Sequence, residues 1–150
     1  MLLRLVLKDF LSFNDLEQFD MFPNHKRLTH SNHIYQQDQN PAVLKMSAIY
    51  GANGAGKSNL IKALGFIRCF VLEDDYLNAN NIKNWKFCLK PQNTEEPLFF
   101  AIEYETEDGK VYLYSAEITD SGIQRETLKT SGINNPGAVV FERTAQQVVL

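Results

Sequence analysis

The chain has 150 residues, 15 Lys and Arg against 18 Asp and Glu, a formal charge of −3 and a pI near 5.6. That length supports one domain with a real core, and the charge balance gives no bulk pull toward nucleic acid, though a local basic patch stays open. Hydrophobic residues at 44% and charged residues at 22% are the proportions of a globular protein, and no apolar run approaches the length of a membrane span.

In chain order, Leu2 to Phe10 reads as a strand with Leu3, Leu5 and Leu7 on one face and Leu2 and Val6 on the other with Arg4 and Lys8. Its start, Met1 to Lys8, is too charged and too short for a signal peptide. A turn at Ser12 to Asp15 leads to a weaker strand near Leu16 to Phe22. Pro23 to Pro41 is polar and reads as a long surface loop. Met46-Ser47-Ala48-Ile49-Tyr50 reads as a strand, and Asn59 to Glu73 as a helix with Leu60, Leu64, Ile67 and Val71 on its packing face. Lys62 and Arg68 fall off that stripe. Gly65 either allows close helix–strand packing or is a tolerated defect costing about 1 kcal/mol relative to alanine. Asp74 to Asn84 is polar, irregular or a short helix, and Trp85, Phe87 and Leu89 suggest a short strand ending at Pro91.

After Pro97 the period becomes two. Phe100, Ile102 and Tyr104 alternate with Ala101, Glu103 and Glu105 before an Asp108-Gly109 hairpin turn. Tyr112, Tyr114, Ala116 and Ile118 form one face of the return strand. Ser121-Gly122 turns the chain into Ile123 to Leu128, and Asn134 to Gly137 is another turn signal. Val139 to Phe141 and Val148 to Leu150 complete the strands. The fold class is therefore α/β, a mixed sheet with an antiparallel β-lobe over about 97–150. The ending inside an apolar run reads as a piece of a longer protein.

Between the predicted strand and helix lies Gly51-Ala52-Asn53-Gly54-Ala55-Gly56-Lys57-Ser58, which fits G-x-x-x-x-G-K-[ST], the P-loop pattern. The chemistry needs these types. Gly51, Gly54 and Gly56 carry no Cβ, so backbone amides approach phosphates closely and form an anion-binding concavity. The following helix adds the positive end of its dipole. Lys57 is expected to reach the β- and γ-phosphates and is the catalytic candidate. Ser58 is the Mg²⁺ ligand candidate, and Asn53 at the loop tip is a candidate for facing the γ-phosphate, which spacing alone does not show. Residues 51–58 together with Asn59 form the expected binding set for ATP with Mg²⁺.

The first strand, Leu-Arg-Leu-Val-Leu-Lys-Asp-Phe-Leu-Ser-Phe, followed by Ile-Tyr-Gly-Ala-Asn-Gly-Ala-Gly-Lys-Ser-Asn-Leu-Ile-Lys-Ala-Leu, resembles the ATP-binding-cassette-type heads of the RecF, SMC and OLD group. More narrowly the chain is similar to bacterial AAA-family ATP-binding proteins of abortive infection and phage defence, including Septu and retron-associated ATPases. The resemblance covers nearly the whole chain and implies a P-loop NTPase of ABC-ATPase-like head fold, with 1–150 as its N-terminal part. It also implies that two heads sandwich two ATP molecules, that Mg²⁺-dependent turnover accompanies engagement, and that DNA, a nuclease or another effector is controlled. No Walker B Asp-Glu strand, Leu-Ser-Gly-Gly-type signature or switch histidine occurs, so hydrolysis by 1–150 alone is not expected. Where related heads carry Asn-Phe-Arg-Ser, this chain has Asp9-Phe10-Leu11-Ser12, and Leu11 cannot make an arginine's contact. Ser12 or Phe13 is left as a nucleotide contact.

The remaining candidates have plainer readings. His25, His30 and His33 read as solvated loop histidines rather than metal ligands. Glu73-Asp74-Asp75 reads as a helix end, and Glu103, Glu105, Glu107 and Asp108 as one exposed hairpin rim. Tyr104, Tyr112 and Tyr114 read as a cross-strand aromatic cluster rather than a base-stacking platform. Cys69 and Cys88 read as buried free thiols in a reducing cytoplasm.

The leading expectation is the ATP-binding and hydrolysing head of a prokaryotic antiphage defence system, self-associating, cytoplasmic and without a membrane partner. A DNA-repair or chromosome-maintenance ATPase of RecF or SMC type is the alternative. A scaffold that binds ATP without hydrolysing it is a further one. A small GTPase or nucleotide kinase ranks last, because the Asn-Lys-x-Asp guanine motif is absent.

Overall fold

A computed structural model describes residues 1–24, 30–37, 40–89, 96–132 and 137–149. Its frame is a seven-stranded sheet built by alternation. Strand β1 (Leu2–Lys8) buries every second residue, with Leu3 and Leu5 fully enclosed and Leu7 nearly so. It is flanked by β2 (Glu17–Asp20) on one side and β5 (Leu98–Glu105) on the other. The sheet then continues through β6 (Val111–Thr119), β7 (Gly122–Ser131), β8 (Val139–Thr144) and β9 (Val148–Val149). Every strand pairing among the described residues is antiparallel. The meander expected after Pro97 is therefore present. The turn expected at 134–137 lies, except for Gly137, outside the described residues.

Register decides what the sheet presents. Ile102 pairs Tyr114, Tyr114 pairs Leu128 and Leu128 pairs Phe141, so one apolar row crosses four strands. The next row runs Phe100, Ala116, Glu126 and Arg143. Helix α1 (Lys57–Leu72) lies on this side and buries Ala63, Phe66 and Ile67. A short helix α2 (Tyr76–Ala79) and a 3-10 turn at Ile82–Trp85 close one flank. The core is unusually aromatic. The Phe66 ring stands 5.3 Å from Phe10, 4.9 Å from Trp85, 5.5 Å from Tyr76 and 6.1 Å from both Phe70 and Phe100. Edge-to-face geometry dominates these contacts, the arrangement that ring quadrupoles favour. A second, smaller cluster gathers Leu3, Val43 and Val111.

Several expectations need correction. Met46 to Tyr50 is not a strand: it pairs with no other segment among the described residues, and Tyr50 is 89% exposed. A strand exists only where a neighbour takes up its backbone groups, and none lies alongside. The 23–41 loop is not structureless, because β3 (Ile34–Tyr35) pairs β4 (Val43–Leu44) after a 3-10 turn at Ser31–His33. Trp85, Phe87 and Leu89 form no strand, since Trp85 ends the 3-10 turn and its ring enters the core. Leu60, Leu64 and Ile67 pack on the core as expected, but Val71 is exposed, and Phe66 and Phe70 pack in addition. Cys69 is half-buried and Cys88 exposed, not buried.

The hairpin rim is also divided. Glu107 and Asp108 are exposed, but Glu105 is only 2% exposed and accepts a 2.8 Å bond from Asn40 Nδ2. Glu103 pairs with Arg4 at 3.6 Å and accepts from the Ser131 hydroxyl. Strand alternation puts both carboxylates on the face opposite the aromatic row, within reach of β1 and the loop before β4. On the exposed part, Lys110 and then Thr106 hold the Asp108 carboxyl down at about 2.

Gly65 is exposed, has ordinary helical φ, and a β-carbon there meets no atom within 4 Å. It is not a close-packing device in this chain. Gly65→Ala is expected to stabilise residues 1–150 by about 0.5–1 kcal/mol, read by urea unfolding. A destabilisation would mean that this surface is covered.

Candidate functional site

The 51–58 loop leads directly into α1. Gly54 and Gly56 have φ of +83° and +84°, the left-handed region that costs other residues strain. Gly56 is the N-cap of α1 and has no side chain to cap it. Its carbonyl accepts the amides of Asn59 at 2.9 Å and Leu60 at 3.2 Å, and the Ala55 amide bonds the Ala52 carbonyl at 3.2 Å. Lys57 and Ser58 are the first two residues of α1, so helix geometry gives their amides no acceptor within the helix. The first turn carries no acidic residue. An anion arriving here meets donors and the positive dipole end without a competing carboxylate.

Lys57 folds back over the loop. Its Nζ donates to the carbonyls of Gly51 at 2.7 Å and Ala52 at 2.6 Å, which places the ammonium above the turn. Gly51 to Ala55 and Ser58 are exposed, while Gly56, Lys57 and Asn59 are half-buried. The sequence-predicted set 51–59 is thus one continuous, accessible surface. Its donors are backbone amides, one ammonium, one hydroxyl and the side-chain amides of Asn53 and Asn59. That set fits a polyphosphate and offers little to a bare metal ion, since a single hydroxyl cannot satisfy Mg²⁺. No group of three or more potential metal-ligating side chains occurs among the described residues.

The turn after β1 reaches the same loop. A β-carbon built on Gly56 would stand 2.6 Å from Ser12 Oγ, 3.5 Å from Ser12 Cβ and 3.8 Å from the Phe13 ring. The sequence motif named Ser12 and Phe13, but only the fold shows that they abut the glycine opening α1.

Other candidates lie elsewhere. His30 and His33 stack edge to face at 5.7 Å on an exposed turn, and His25 falls outside the described residues. Tyr104 and Tyr112 are a cross-strand pair with centroids 6.0 Å apart. Burial raises the Tyr104 hydroxyl above its ordinary pKa. Glu73 lies just beyond α1, and its side chain bonds the Cys69 thiol, which with burial raises that thiol above its ordinary pKa.

Sequence reasoning missed one polar cluster. Glu126, 9% exposed, accepts the Tyr114 hydroxyl and pairs with Arg143 Nη2 at 2.6 Å. Burial and this carboxylate push the Tyr114 hydroxyl far above its usual range. The three residues come from β6, β7 and β8, so only the register unites them. They border a groove of about 1100 Å³ between α1, α2 and the sheet, lined by Leu64, Phe70, Leu128 and Phe141. Arg143→Ala is expected to destabilise the chain by about 1–3 kcal/mol, because it strands the enclosed Glu126 carboxylate. Glu126→Gln together with Arg143→Ala should recover part of that loss in a denaturation series.

A family model described as "AAA domain, putative AbiEii toxin, Type IV TA system" matches residues 46–139, more than half of the chain. The chain belongs to this AAA-domain family. The match opens just before the glycine loop and runs into β8, so it takes in the loop, α1 and most of the meander. Membership makes this a nucleotide-binding, P-loop NTPase type of chain in a toxin and abortive-infection setting. A search of curated proteins gave no match. Among the described residues no helix is long and apolar enough to cross a membrane.

Proposed function

We propose that this AAA-domain chain binds Mg²⁺–ATP on residues 51–59 as the head of a prokaryotic antiphage defence ATPase. The observation that carries the reading is the loop itself. Two left-handed glycines and a folded-back lysine lead into a helix start with no acid in its first turn. In this reading the amides of 54–58 cradle the β-phosphate, and Lys57 leaves the Gly51 and Ala52 carbonyls for phosphate oxygens. The Ser58 hydroxyl would supply one ligand to Mg²⁺, whose charge would offset that of the phosphates. The nucleotide supplies a phosphoanhydride whose cleavage can drive a change of state, and the chain's part is to bind and orient it.

The family description, with its toxin and toxin–antitoxin terms, favours a defence role over chromosome maintenance. We place self-association of heads and control of a nuclease or other effector in the same proposal, closest in type to Septu- or retron-associated ATPases. The test is infection of cells carrying the intact gene, wild type against Lys57→Ala. Protection that depends on Lys57 supports the reading. Protection that survives the substitution, with expression equal, contradicts it.

A further inference from the structure

We propose that Ser12 is a positioning residue for the phosphate-binding loop, acting on Gly56 rather than on the nucleotide. This rests on the nucleotide-binding reading above only for its affinity readout.

The turn that carries Ser12 is held in an uncommon shape. Asp9 and Leu11, neither a glycine, have φ of +52° and +50°. Such backbone persists where surrounding structure over-determines it, and it clusters at sites where shape has a use. The restraints are visible here. Phe10 and Phe13 exchange backbone bonds at 2.9 and 2.8 Å, and the Leu11 amide donates to the Trp85 carbonyl at 2.8 Å. Phe10 and Trp85 are in turn fixed by the Phe66 ring on α1. The turn is therefore anchored to the body of the same helix whose N-cap residue it abuts.

What this rigid turn presents is a small exposed side chain. Ser12 points at the face of Gly56 where any other residue would carry its β-carbon. Among the described residues its hydroxyl makes no hydrogen bond, so folding the turn does not consume it. Gly56 is the left-handed N-cap of α1, and its carbonyl receives the Asn59 and Leu60 amides. A side chain leaning on that residue limits how far the cap can swing. The amides of Lys57 and Ser58 follow directly from it. The core thus fixes the turn, the turn fixes the cap, and the cap aims the donors.

The experiment uses the wild-type chain, Ser12→Ala and Ser12→Thr, with two readouts. Amide hydrogen exchange without ligand should show Asn59 and Leu60 exchanging several-fold faster in Ser12→Ala, with melting temperature unchanged and Ser12→Thr near wild type. Calorimetric affinity for both inorganic pyrophosphate and Mg²⁺–ATP should fall several-fold, by the same factor, because both ligands need the loop. Unchanged exchange with wild-type affinities overturns the proposal. So does a loss confined to ATP, which would put Ser12 on the nucleoside. Failure of the wild type to bind either ligand overturns the nucleotide reading instead, and the exchange result still decides the role of Ser12.

Discussion

Lys57→Ala weakens Mg²⁺–ATP binding by about 10- to 100-fold, the result expected if its ammonium makes charge-assisted bonds worth about 1.5–3 kcal/mol. The side chain already points to the right place. It spans from the first residue of α1 to the Gly51 and Ala52 carbonyls, over the turn that the phosphates would enter. Removing it deletes those two bonds as well, but the loop is exposed and packs little, so the fold should be unaffected. Lys57→Met, which keeps most of the stem, should lose as much affinity as alanine, because charge and not packing is at stake. Lys57→Arg should restore only part, since a planar guanidinium does not replace a compact ammonium inside a tight turn. Isothermal titration of the four proteins checks this. Equal affinity in all of them would mean that the ammonium never meets the phosphates.

Phe66→Ala carries the largest expected cost in stability, about 3–5 kcal/mol, measurable by denaturant unfolding. The ring is 1% exposed and touches five other aromatic rings, from the turn after β1, α1, α2, the 3-10 turn and β5. Its loss leaves a cavity that those elements, rigid in themselves, cannot close. Against a usual total of about 5–15 kcal/mol, that is a large share. Because Phe66 also locates Phe10 and Trp85, nucleotide affinity should fall even where the variant stays folded. A loss under about 1 kcal/mol would show that the aromatic cluster is not the centre of the core.

Local pattern carried the sheet and the loop. Leu3, Leu5 and Leu7 alternate, as do Phe100, Ile102 and Tyr104, and period two leaves little choice of which face goes inward. Asp108-Gly109 marked its hairpin. The glycine loop was legible because each residue type has a backbone reason to be there. What sequence could not show depends on neighbours distant along the chain. Met46 to Tyr50 has strand composition, yet a strand also needs a partner. Leu60, Leu64, Ile67 and Val71 satisfy helical spacing as well as Ala63, Phe66, Ile67 and Phe70 do. Leu60, Leu64 and Ile67 do pack, but Val71 is exposed, and Phe66 and Phe70 make the ring contacts because Phe10, Trp85 and Phe100 lie on that side. Glu105 reads as a rim charge until Asn40 arrives beside it. The Tyr114, Glu126 and Arg143 cluster exists only once three strands are in register, and the contact of Ser12 with Gly56 joins segments from opposite sides of the 23–41 stretch.

The most direct test of the account is a structure of this chain with a non-hydrolysable ATP analogue and Mg²⁺. The account predicts phosphate oxygens within hydrogen-bonding distance of the amides of residues 54–58, with Lys57 Nζ moved from the Gly51 and Ala52 carbonyls onto the phosphates. An analogue seated elsewhere, for example in the groove beside Phe70 and Phe141, with Lys57 still on its own loop, would contradict it.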